Sequence, residues 1–99
     1  MTYSFTVTYI FHIEGRGIVL LPGLPTGPNF PNVKTGHSIL LRTPGGRERA
    51  TIIRSLENIR QSRSKSIEIP ILLPSDISKD DVPVGTEVYL LPERPPADP

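Results

Sequence analysis

Apolar and polar residues alternate along the first part of the chain. Tyr3, Phe5, Val7, Tyr9, Phe11 and Ile13 share one side of an extended backbone. Thr2, Ser4, Thr6, Thr8, His12 and Glu14 share the other, with Ile10 the exception. A period of two in β-branched and aromatic residues predicts a half-buried strand. Gly15-Arg16-Gly17 breaks the alternation, and two glycines at that spacing predict a turn or bulge with unusual backbone angles.

Ile18 to Leu21 reads as a short apolar strand, and the Pro- and Gly-rich stretch Pro22 to Asn32 as a loop. A strand follows near His37 to Arg42, and Thr43-Pro44-Gly45-Gly46 is a turn that allows a hairpin. Thr51 to Ile59 is open on local grounds. Ile52, Ile53, Leu56 and Ile59 match a helical stripe, whereas β-branched residues and short length favour a strand. Ile67, Ile69, Ile71 and Leu73 alternate, and Pro70 among them places that strand at an edge or a bulge, since proline cannot donate to a ladder. Ser78-Lys79-Asp80-Asp81 has capping-box spacing and predicts one helical turn near 78–82. Glu87 to Leu91 is a last strand. The Pro-rich tail 92–99 lies outside a single domain over 1–91. The sum is an all-β fold of five or six short strands, which favours a small closed barrel or a sandwich; a barrel solves the edge problem for so short a chain.

Composition narrows the function. Among 99 residues there are 12 prolines and no cysteine, which argues against a helical fold and excludes disulfides, thiolate metal sites and a cysteine nucleophile. No basic segment followed by an apolar run opens the chain, and no apolar run approaches the ~20 residues of a membrane span. These features predict a cytoplasmic protein without membrane contact. Net charge is only +1, but it is unevenly spread. Arg42, Arg47, Arg49, Arg54, Arg60, Arg63 and Lys65 stand against Glu48 and Glu57, whereas acidic residues dominate from Asp76 onward. The middle of the chain is thus suited to a polyanion or is an ordinary solvated face.

Three segments, read together, resemble domain II of the elongation factor Tu type of translational GTPases. Phe11-His12-Ile13-Glu14-Gly15-Arg16-Gly17-Ile18-Val19 is similar to that family's F-x-I-x-G-R-G-x-V, and Val33-Lys34-Thr35-Gly36 follows as the start of a strand. Arg54-Ser55-Leu56-Glu57 is similar to a strand carrying S-[IV]-E. Ser78 to Val88 resembles K-x-D/E-[IV]-x-x-G-x-V-[IL]. The match covers roughly residues 5 to 91. It implies a six-stranded, mostly antiparallel β-barrel, with Thr51 to Ile59 extended. It also implies a role in contacting transfer RNA or the ribosome, with Glu57 matching a glutamate near the terminal adenosine of bound RNA. Two departures bear on that role. Leu20-Leu21-Pro22 stands where the family often has a threonine, and the loop from Gly23 to Val33 is longer and Pro-rich.

The residues offer little catalytic chemistry. No G-x-x-x-x-G-K-[ST] loop is present to cradle phosphates, so GTP binding and hydrolysis are not expected of this chain. His12 and His37 lack spaced metal-ligand partners, and no nucleophile elbow occurs. No enzyme activity and no cofactor are expected. An RNA or ribonucleoprotein contact would use Arg16, Arg42, Arg47, Arg49, Arg54, Glu57 and Arg60. Phosphate contacts would dominate, with marked salt dependence. Arg16 could instead pair with Glu14 or Glu87. The other reading is a protein-binding or self-associating adaptor that uses Phe30 in its Pro-rich loop and an exposed edge at Pro70.

Overall fold

The computed structural model describes residues 1–25, 33–57 and 68–92. Eight strands and one short helical turn follow in order: β1 (Thr2–Thr6), β2 (Tyr9–Ile13), β3 (Gly17–Pro25), β4 (Ser38–Arg42), β5 (Glu48–Ile52), β6 (Ser55–Leu56), β7 (Glu68–Leu72), a 3-10 turn (Lys79–Asp81) and β8 (Glu87–Leu90). They form two four-stranded antiparallel sheets, ordered β1-β8-β4-β5 and β2-β3-β7-β6. The fold is all-β, as the patterning predicts. Among the described residues neither sheet closes on itself.

Two extended runs serve both sheets. In the first, Val7 N–H donates to the Thr86 carbonyl (2.8 Å), and the next residue, Thr8, donates to Leu21 (2.8 Å). The chain thus leaves β8 for β3 within one peptide, and β1 becomes β2. In the second, Ile53 N–H donates to His37 (3.0 Å) and Arg54 N–H to Leu72 (2.9 Å), so β5 passes into β6 in the same way.

These crossings reset which side chains face inward. Ser4 is an extra residue in the β1–β8 register, and Thr8 marks the change of sheet. Phe5, Val7 and Ile10 are buried in the core, whereas Tyr3, Tyr9 and Phe11 are 51%, 58% and 56% exposed. The single face expected for Tyr3 to Ile13 is therefore two faces. Ile10, the exception to the alternation, is the core residue of β2. The helix-like spacing of Ile52, Ile53 and Leu56 has the same cause. It is an extended run with a phase slip at the crossing, so the strand reading holds over Thr51 to Leu56; Ile59 lies outside the described residues.

The interior is filled from both sheets by Phe5, Ile39, Leu41 and Val88 on one side and by Ile10, Ile18, Leu20 and Ile71 on the other. Ile77 and Val82, flanking the 3-10 turn, close one end. Each such side chain contributes about 1.5–3 kcal/mol on burial. The helical turn is tied by Asp81, whose carboxylate accepts from Ser78 N–H (2.9 Å) and Ser78 Oγ (3.1 Å).

β3 is longer than its sequence predicts, running through Pro22 to Pro25, where a loop is expected. Leu21, Pro22 and Gly23 together stand opposite Pro70 alone in its register with β7. Pro70 is buried in an interior strand, so the expected exposed edge there is not formed; the bulge alternative is. On its other side the Pro70 carbonyl accepts Glu57 N–H (2.9 Å), just past the last pair of β6. A Cβ on Gly23, whose φ is +114°, would fall onto the backbone of Ile69 and Pro70. Only glycine lets β3 approach β7 that closely.

Gly23→Ala is predicted to destabilise the fold by roughly 2–4 kcal/mol. Gly15→Ala has a positive φ but nothing within 4 Å of its Cβ, and should cost only about 1 kcal/mol. Urea-denaturation curves of the two variants compare these values. Equal small losses would contradict the close approach.

Candidate functional site

The Gly15-Arg16-Gly17 turn builds one corner of the site. Arg16 N–H donates to the Ile13 carbonyl (3.0 Å), closing the turn between β2 and β3. Gly15 and Gly17 have φ of +83° and +136°, the unusual angles their spacing predicts. A Cβ at Gly17 would lie 2.8 Å from the Leu73 carbonyl oxygen, so the turn lies tight against the chain beyond β7.

From that turn the Arg16 guanidinium reaches Glu57, 41 residues away. Its two terminal nitrogens meet the two carboxylate oxygens at 3.4 and 3.3 Å, a fork-on-fork geometry. Ser55 Oγ donates to the same carboxylate (3.0 Å), and Arg54 donates to the Arg16 carbonyl (3.1 Å). The partner of Arg16 is therefore Glu57 and neither Glu14 nor Glu87. The pairing follows from the crossing at Ile53–Arg54, which carries β6 into the second sheet beside β7.

Beneath this polar cluster is an apolar floor. Val19 and Leu72 are paired across β3 and β7 and are buried, yet they stand apart from the inner core. They occupy the outward face, since the flanking Ile18, Leu20, Ile71 and Leu73 point inward. Phe11 on β2 and Ser55 on β6 are in register with them, so the row reads Phe11, Val19, Leu72, Ser55. Arg16, Arg54 and Glu57 together leave one formal positive charge above it.

Among the described residues, Arg42 and Arg49 lie on the other sheet beside carboxylates, with Arg47 in the turn between their strands. Arg42 meets Glu48 at 2.7 Å and stacks over the Tyr89 ring, 5.0 Å from its centroid. The Glu48 hydrogen bond holds the Arg42 guanidinium still more firmly protonated. Tyr89 donates to Glu87 (2.8 Å), which raises its phenol pKa, as does burial. Arg49 reaches both Asp76 (3.3 Å) and Asp81 (3.5 Å). Arg47 lines a cleft of about 320 Å³ with Leu41, Thr43, Glu48, Arg49 and Asp81. The basic segment is thus divided between two sheets, and its Arg42 and Arg49 members are neutralised at short range. The sequence carries no local sign of this, because Asp76 and Asp81 are distant along the chain. Arg60 and Phe30 lie outside the described residues.

Other polar features are sparser. His37 Nε2 lies 3.0 Å from the Leu91 carbonyl, beside a cleft of about 700 Å³ lined by Lys34, Thr35, Ser38 and Pro92. Among the described residues no three His, Cys, Asp or Glu side chains gather as a metal ion requires. No helix among them is long and apolar enough to cross a membrane.

Asp81 makes the acid response predictable. Hydrogen bonds from the Ser78 N–H and hydroxyl, then the fields of Arg49 and Arg47, lower its pKa from the ordinary 3.8. A carboxyl depressed by folding adds stability that is complete above its unfolded value and lost as pH falls through the folded one. Asp81→Asn should lower Tm at neutral pH, and the difference from the parent should vanish in strong acid, below both values. Thermal melts across that range check this; a difference independent of pH would contradict it.

No family model matches the chain, and no curated protein or solved structure matches it significantly.

Proposed function

We propose that this chain is a non-catalytic binding domain that holds RNA on the outer face of its second sheet. The observation that carries the reading is the forked Arg16–Glu57 pair, joined by Arg54 over the Val19–Leu72 floor. An ion pair whose arginine is 49% exposed and whose carboxylate is 18% exposed contributes on the order of 1 kcal/mol to stability. Its members are therefore available for exchange with a ligand at little cost to the fold. A phosphate can take the place of the carboxylate on Arg16. Glu57 is then free to accept a hydrogen bond from a base or sugar.

The resemblance to domain II of elongation factor Tu-type GTPases supports the same site, because Arg16 and Glu57 are the residues its first two motifs pick out. The strand pairings support a six-stranded barrel of that kind. Counting Thr2–Ile13 and Glu48–Leu56 as one bent strand each leaves six runs, and the pairings lead round all six back to the first. On this reading the chain neither binds nor hydrolyses GTP, and any catalysis belongs to its partners. The first-sheet arginines are outside the proposed RNA site, because the Val19–Leu72 row and Glu57 lie with the second sheet.

A protein adaptor is the second reading. The exposed Tyr9 and Phe11 on the outer strand β2 favour it, whereas Pro70 no longer does.

Fluorescence anisotropy with a short labelled single-stranded RNA tests the proposal. Binding should be measurable at low salt and fall steeply as salt rises. Arg16→Glu combined with Arg54→Glu should abolish it, and Arg47→Glu should leave it nearly unchanged. Absence of binding at low salt, or loss through Arg47 alone, would overturn the proposal.

A further inference from the structure

Tyr9 and Phe11 are the most exposed aromatic residues among those described. Their rings touch edge to face, with centroids 5.8 Å apart and an interplanar angle of 86°. A single exposed ring is ordinary, but two in contact on an outer strand are not. Across the register Tyr9 faces Leu21 and Phe11 faces Val19, so the rings extend the floor beneath the Arg16–Glu57 pair toward the sheet edge. In this perpendicular geometry the edge of one ring meets one face of the other, and the remaining ring surface is open to solvent.

The chemistry of this surface is an aromatic patch with guanidiniums at one end. Unpaired nucleobases offer flat π surfaces, and the backbone that links them is anionic. That combination matches aromatic stacking next to Arg16 and Arg54. A folded protein partner would be matched by the rings alone and would make no use of the net positive charge beside them.

We propose that Tyr9 and Phe11 form a stacking platform for the unpaired bases of a single-stranded RNA whose backbone is held at Arg16 and Arg54. The proposal rests on the RNA reading above and adds to it a class of ligand, single strand over duplex, and two base-contacting residues.

The test is binding of labelled oligoadenylate and oligouridylate, and of an RNA duplex, by the full chain across a salt series. Phe11→Ala and Tyr9→Ala should each weaken single-strand binding about tenfold. The slope of log affinity against log salt should stay that of the parent, because no phosphate contact is lost. Phe11→Tyr should retain affinity, and Phe11→Leu, apolar but without a ring, should not. Duplex should bind the parent more weakly than single strand does. Both rings are exposed, so the variants should melt as the parent does; thermal melts establish that any loss is one of binding.

Parent-like affinity of both alanine variants, with Arg16→Glu still deleterious, would overturn the platform and leave the RNA reading standing. The same would follow if Phe11→Leu bound like the parent. No RNA binding by the parent would overturn both. A dimer in sedimentation that Phe11→Ala dissociates, with RNA affinity unchanged, would overturn the platform and assign the rings to a second copy of this chain.

Discussion

The structure depends on two extended runs that must each serve two sheets around one apolar interior. A strand alternates its side chains with a period of two, so a shift by one residue turns every later side chain to the opposite face. A run that leaves one sheet for another must make that shift if it is to keep burying apolar groups. The first run does so with Ser4 as an extra residue and a change of partner at Thr8; the second changes partner between Ile53 and Arg54. The apolar interior, with Ile10 and Ile53 both in its core, is what fixes the phase on each side.

The outer surface follows from that choice. Once Ile10 points inward, Tyr9 and Phe11 must point outward, beside Val19 and Leu72. Once the second run reaches β7, Arg54, Ser55 and Glu57 arrive beside the Arg16 turn. Apolar floor, aromatic rings and ion pair are thus products of the same two crossings. The close approach at Gly23 and Pro70 keeps β3 against β7 and so holds the floor together. In the first sheet the same packing brings Arg49 to Asp76 and Asp81.

Much of this was legible in the residues. Alternation located most strands, and the capping-box spacing located the turn at Lys79–Asp81. The glycines around Arg16 announced their backbone angles. Face assignment failed where a strand crossed between sheets, because a smooth alternation from Tyr3 to Ile13 gives no local sign of a slip; the lone misfit, Ile10, was the one clue. Pro22 and Gly23 read as a loop because their propensities are those of a loop, and tertiary approach to β7 overrode them. The membership of the proposed site is only partly legible. Arg16, Arg54 and Glu57 were picked out, but charge counting grouped them with Arg42, Arg47 and Arg49, and only the topology separates the two sets.

The most direct measurement is an amide shift map of the nitrogen-labelled protein during titration with a short single-stranded RNA. The account predicts shifts concentrated in Tyr9–Val19 and Arg54–Glu57, with the Arg42–Arg49 hairpin nearly still. Shifts confined to that hairpin, or none at saturating RNA, would contradict the claim that the strand crossings place the binding surface on the second sheet.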